Sequence, residues 1–184
     1  QSIEAIRERN EKLIKVSGSL AKHLPELAPV HANGGPNAST PEKQAAMTDV
    51  LIAALKANLT NVVTYTIDDL GTPITGLPGN ETDRVGIHPL GHDEAFGGVP
   101  AWKTREQIRI SHMSQINTII EKLKQVPEGK GTMFDNTMIM YFPENGETHH
   151  GVGSEAPFLI MSGSSCNLNM SGRYVRLPFL GNEG

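Results

Sequence analysis

Met138 to Gly163 reads MIMYFPENGETHHGVGSEAPFLIMSG, and the fold turns on how this stretch is taken. Two apolar runs, Met138 to Phe142 and Ala156 to Ser162, have the length and bulk of buried strands. The loop between them carries Glu144, Asn145, Glu147, His149 and His150. In an open α/β sheet the ligand crevice lies just beyond the carboxyl ends of the strands, so acids and imidazoles in such a loop stand where something is bound. As an ordinary polar loop the same residues would only be solvated. The adjacent histidines make a metal site an equal reading, because imidazole is the commonest transition-metal ligand and carboxylates complete such sites.

Upstream of that stretch the chain alternates helix and loop. Residues 2–23 are charged and helix-favouring, with Ile3, Ile6, Leu13, Ile14 and Leu20 on a broken apolar stripe, and read as a surface helix. Pro25 and Pro29 end it, and residues 28–40 form a flexible connection rich in Gly, Pro, Asn and Ala. A second helix starts at Ser39 or Thr40, where Ser39 and Glu42 suit a capping box and Pro41 a first turn. Its apolar positions Met47, Val50, Leu51, Ala54 and Leu55 have the spacing of a face packed on a sheet. Asn61 to Ile67, NVVTYTI, follows at once and is rich in β-branched residues, so a strand is expected there.

Residues 68–101 are too long for an ordinary connection and read as a functional loop containing His88, His92, Asp93 and Glu94. From Lys103 to Gln125 a helical period returns, with Ile108, His112, Ile116, Ile119, Ile120 and Leu123 on one face. His112 in that stripe reads as a buried histidine paired with a neighbour rather than a ligand. Arg84, Arg105 and Arg109 read as surface charges, and Arg173 to Leu177 as a short strand. Asn-x-Ser/Thr triplets at Asn37, Asn58, Asn80 and Asn169 matter only in a glycosylating host, and Asn58 falls on the second helix.

With 184 residues, the chain is most simply one α/β domain. Because it opens on Gln1 and stops just after the apolar run in LPFLGNEG, it also reads as a processed chain or a piece of a longer domain. A hydrophobic share of 38% and a formal charge of -4 leave no basic excess to hold nucleic acid. No apolar run reaches the roughly 18 residues needed to span a bilayer. Cys166 is the one cysteine, which excludes an intrachain disulfide and a thiolate zinc site of the CxxC type.

His88 and His92 stand four apart in a loop broken by Pro89 and Gly91, a spacing read as loop curvature rather than helical stacking. Such a curl aims both imidazoles at one point, and His149 or His150 would supply a third. Three histidines around an open position is a catalytic zinc arrangement. Glu144, Glu147 and Asp93 would then be further ligands or acceptors that fix the imidazole tautomers.

Several stretches, in order, resemble the carboxyl-terminal part of the secreted bacterial proteins named for an HXXSHH motif. They are MTDVLIAALKANLTNVVTYTI, IHPLGHDE, EKLKQVPEGKGTMFDNTMIMYF, HHGVGSEAPFLIMSG and GRYVRL. That family is similar in turn to the alkaline phosphatase and sulfatase superfamily. The resemblance implies a three-layer α/β/α sandwich, here its carboxyl-terminal part, with divalent metal, zinc before manganese, at the sheet's carboxyl edge. His88 to Asp93, HPLGHD, matches the motif with Gly91 for its serine and Asp93 for its last histidine, so His88 and His92 take one metal's ligand positions. The superfamily's Asp-His-Gly falls on Glu144, Asn145 and Gly146, where an amide oxygen is a weak donor to zinc. His150, or else His149, takes the later ligand position. A nucleophilic Ser, Thr or modified Cys belongs early in that domain and matches no residue here; Cys166 reads as a small loop residue.

Two functions follow from the resemblance. One is a metal-dependent hydrolase of phosphoric or sulfuric esters acting on a small molecule. The other is a non-catalytic envelope protein that keeps the fold and joins protein partners in a larger assembly. Both place the chain in the periplasm or outside the cell.

Overall fold

The computed structural model describes residues 39–68, 71–77, 79, 84–142, 158–168 and 172–176, together with Glu4, Arg7, Glu11, Ile14, Lys15, Ser17 and Gly18. These last positions are helical and exposed, in the segment read as a surface helix. The chain divides into two compact units, Gln1–Lys122 and Leu123–Gly184. Secondary structure is mixed helix and strand, and the described strands form two small antiparallel pairs.

In the first unit, helix α1 spans Thr40–Lys56 and opens as its sequence demands. Ser39 and Glu42 close a capping box, with the Ser39 backbone N–H donating to Glu42 Oε2 at 2.7 Å, and Pro41 sits in the first turn. Those bonds hold the Glu42 carboxyl below its usual range. The helix closes with Leu59 N–H donating to Ala54 O and Asn58 N–H to Leu55 O, a Schellman pattern in which Asn58 takes a positive φ of 54°. Asn58 therefore stands just past the helix rather than on it.

The face of α1 that is buried is not the apolar one expected. Gln44, Ala46, Thr48, Ile52 and Ala53 are buried, whereas Met47 and Val50 are 50% and 40% exposed. Gln115 is the reason. Its Nε2 lies within hydrogen-bonding distance of Gln44 O (3.1 Å), Thr48 Oγ1 (3.1 Å) and Tyr65 OH (2.9 Å), so a polar network draws the Gln44 and Thr48 side inward.

Asn61 to Ile67 is also corrected. The run pairs in no ladder among the described residues, and Val62 is 80% exposed. Polar side chains hold it instead: Gln44 Nε2 donates to Ile67 O at 3.2 Å, and Thr60 Oγ1 both donates to Val62 O and accepts from Val62 N–H. β-branched residues favour a pleated surface, but they do not supply the partner strand that makes one.

The stretch read as a long loop supplies the unit's core. Ile74, Leu77, Val85, Leu90, Ala101 and Ile108 form one buried cluster, with Ile87 and Phe96 against it. An Ile74–Val85 bridge, helix α2 (Ile87–Gly91) and a Phe96–Val99 bridge give the segment its shape. Gly97 and Gly98, with φ of 56° and 77°, make the two left-handed steps that so tight a turn requires. Helix α3 (Ala101–Lys124) bears the expected stripe, with Ile108, His112, Ile116, Ile119 and Leu123 buried. His112 Nε2 stands 3.1 Å from Asp68 Oδ2, so this histidine has the neighbour expected of it.

The second unit holds strands β1 (Pro127–Glu128) and β2 (Gly131–Thr132), paired antiparallel, then a 3-10 helix over Met133–Asn136. The two apolar runs become β3 (Met138–Tyr141) and β4 (Leu159–Ser162), paired antiparallel with Ile139 opposite Met161. The runs are strands, as expected, but not buried ones: Met138, Met140 and Leu159 are each about half exposed. A ladder of two strands cannot cover its own faces. Arg173 to Arg176 forms no strand, and Tyr174 is 91% exposed.

Asp135 joins the segments of this unit. Its Oδ2 accepts from Thr132 N–H and Oγ1, each at 2.8 Å, and its Oδ1 accepts from Ser164 Oγ at 2.8 Å. The backbone donor at Thr132, followed by the two hydroxyls, holds the Asp135 carboxyl below its usual range. A carboxyl depressed in the folded state stabilises it above the unfolded pKa, and that contribution is lost as pH falls through the folded value. Acid titration followed by the β3 and β4 amide signals is therefore expected to show a loss below about pH 4 that Asp135→Asn removes. An unchanged profile in that variant would contradict the assignment.

Candidate functional site

The site begins with a helix of one turn. Gly86 precedes α2, and a Cβ there would stand 3.0 Å from Pro89 Cδ, so the proline folds down over a residue without a side chain. Leu90, 2% exposed, anchors the turn in the core. His88, in the turn, and His92, at its carboxyl cap, are both exposed, with ring centroids 5.2 Å apart and planes inclined at 54°. The spacing is thus helical stacking, contrary to the loop-curvature reading, because Pro89 is tolerated in a first turn where no intrahelical N–H is needed.

Asp93 follows with a positive φ of 62°. Its Oδ1 accepts from Arg105 Nη2 at 2.8 Å, and Arg105 Nη1 donates to Leu90 O at 2.5 Å. Arg105, with a side chain 25% exposed, is accordingly not the plain surface charge expected. Nothing in the local pattern marks it, because its partners lie 12 and 15 residues upstream. Glu94 is exposed beside them.

Next to Asp93 lies an open depression of about 380 Å³, lined by Asp93, Ala95, Gly98, Pro100, Ala101 and Trp102. Trp102, the chain's one tryptophan, is 63% exposed there. The depression is mostly apolar, and its one carboxylate is already matched by Arg105.

Of the expected ligands, the structure brings His88 and His92 together and turns Asp93 to Arg105. Glu144, Glu147, His149 and His150 lie outside the described residues. Among the described residues, no group of three or more His, Cys, Asp or Glu side chains is gathered as a metal ion would require. Two imidazoles one helical turn apart nevertheless suit a chelate in which each gives one nitrogen, so the donor chemistry fits a divalent transition metal. Among the described residues, no helix is long and apolar enough to cross a membrane. No family model, curated protein or solved structure matches the chain.

Proposed function

We propose that this chain is the carboxyl-terminal part of a hydrolase-like domain of alkaline phosphatase and sulfatase ancestry, a three-layer sandwich that works outside the cytoplasm. Its metal side is anchored by His88 and His92. The observation that supports the reading is the approach of those two exposed rings to 5.2 Å on a turn held by a buried leucine. The sequence offers His150 or His149 as the candidate for a further ligand, with Glu144 close to both in the chain. Zinc held there would supply Lewis acidity toward a phosphoric or sulfuric ester oxygen or a water molecule. The depression beside Asp93 would offer the organic part of such an ester a mostly apolar lining that includes Trp102.

One contact favours the second reading, a non-catalytic protein of an extracytoplasmic assembly that retains the fold with a decayed site. Asp93 is committed to Arg105, which withdraws a carboxylate from the metal side, and Asn145 is a weak ligand where the related pattern has histidine.

Zinc titration by calorimetry separates these outcomes. The wild type is expected to bind one zinc ion, and His88→Ala and His92→Ala to bind at least about tenfold more weakly. Hydrolysis of 4-nitrophenyl phosphate or sulfate by the zinc-loaded protein would decide for the enzyme; zinc bound without turnover of either would show that this chain's own residues do not suffice for hydrolysis. A wild type that binds no zinc would overturn the metal site itself.

A further inference from the structure

A single helical turn does not sustain itself. Nucleation fixes several dihedrals for one hydrogen bond, and α2 is only five residues long, entered through a bond of 3.2 Å from Leu90 N–H to Gly86 O. The geometry of the His88 and His92 pair must therefore be imposed from outside the turn. Leu90 anchors its inner side, and the end from which His92 projects needs a second hold.

Arg105 reaches that end. Its guanidinium bridges two groups that flank His92, donating from Nη1 to Leu90 O and from Nη2 to Asp93 Oδ1. A cation at a helix carboxyl terminus complements the exposed carbonyls there. The planar fork sets the two bonds at a fixed angle, which a lysine ammonium cannot reproduce. The arginine is itself held on α3 between fully buried Thr104 and buried Ile108, so it transmits the position of a long helix to a short one. Asp93, with its left-handed backbone, is the residue by which the chain leaves the turn, and clamping it fixes where the turn stops.

We propose that Arg105 is a positioning residue for the His88 and His92 pair, holding the two imidazoles in chelating register through Leu90 O and the Asp93 carboxylate. This rests on the metal reading given above. Two measurements on the full chain separate the failure of one from the failure of the other. The first needs no metal: nuclear Overhauser cross-peaks between the His88 and His92 ring protons, expected in wild type, weakened in Arg105→Lys and abolished in Arg105→Ala. The second is zinc affinity at a temperature where near-ultraviolet circular dichroism shows every variant folded. Arg105→Ala is expected to bind about tenfold more weakly, and Arg105→Lys to fall between it and wild type.

Cross-peaks and zinc affinity that survive Arg105→Ala unchanged would overturn the positioning role. Cross-peaks abolished in Arg105→Ala, with no zinc bound even by wild type, would overturn the metal reading while leaving the arginine's control of the pair established. A loss of affinity in both folded variants with the cross-peaks intact would also overturn the proposal.

Discussion

Gly163→Ala is expected to unfold the carboxyl-terminal unit under conditions where the wild type is folded. A Cβ on Gly163 would fall inside the van der Waals envelopes of Phe134 O and of Asp135 Cα and C, all of them backbone atoms that cannot swing aside as a side chain would. Nor can the backbone yield cheaply, because both segments are stitched together around that point. Gly163 N–H donates to Thr137 O at 2.9 Å, Cys166 N–H donates to Gly163 O at 3.2 Å, and Ser164 Oγ holds Asp135. Overpacking of even flexible cores costs about 1–3 kcal/mol, and a backbone collision belongs at or above the top of that range. For a small unit with marginal stability this is most of what holds it. Urea unfolding followed by amide signals of Ile139 and Met161, opposite one another in the ladder, reads the unit directly. Gly18→Ala is the control, since Gly18 is helical with open space where the methyl would go, and it should gain about 0.5–1 kcal/mol. A Gly163→Ala protein with the wild-type midpoint and an intact ladder would contradict the packing described.

That glycine also marks the boundary of what can be read from residues alone. Ser39, Pro41 and Glu42 announce α1 because caps act within a turn of the residues that make them. The stripe on α3 is equally legible, since its period is carried by large aliphatic residues with one face to bury. Local patterns do not say which side a polar network will claim. On α1 the apolar stripe through Met47 and Val50 is outweighed by a partner 71 residues from Gln44, and no window that covers a single helix contains that information. The segment 68–101 misleads for a related reason. Its glycines and prolines suggest an open loop, yet its scattered Ile74, Leu77, Val85 and Leu90 build a core through isolated contacts that have no period to detect. At the site, the four-residue histidine spacing is visible in the chain, but Pro89 argues against the helix behind it even though a first turn accepts proline. Arg105 carries no such signal, because guanidinium contacts made across the fold leave no trace beside the arginine.

Gln115→Leu tests the other long-range feature, and it is expected to destabilise the amino-terminal unit by about 2 kcal/mol with little change in volume. Gln115 Nε2 lies within hydrogen-bonding distance of Gln44 O, Thr48 Oγ1 and Tyr65 OH, which share its two N–H groups, whereas Gln115 Oε1 is buried without a hydrogen-bond partner among the described residues. Leucine therefore relieves one unsatisfied acceptor while removing the two N–H donors that three acceptors share, and the loss wins because a buried polar group without its partner keeps its desolvation cost. Gln115→Ala removes the same bonds and leaves a cavity, so it should cost about 2 kcal/mol more. Tyr65 supplies a second readout. Burial pushes its phenol above the usual tyrosine value, and the bond to Gln115 opposes that shift. A phenol raised in the folded state stabilises that state below about pH 10, and the contribution is lost as pH rises through the folded value. Gln115→Leu removes the opposing bond, so the Tyr65 phenol should titrate higher still and stability should fall over a wider alkaline range; Tyr65→Phe should flatten the profile. Urea midpoints from about pH 8 to about pH 12, spanning the ordinary tyrosine value, decide it for wild type and both variants. Equal midpoints for wild type and Gln115→Leu at neutral pH would show that the network does not choose the buried face of α1, and the exposure of Met47 and Val50 would then need another cause.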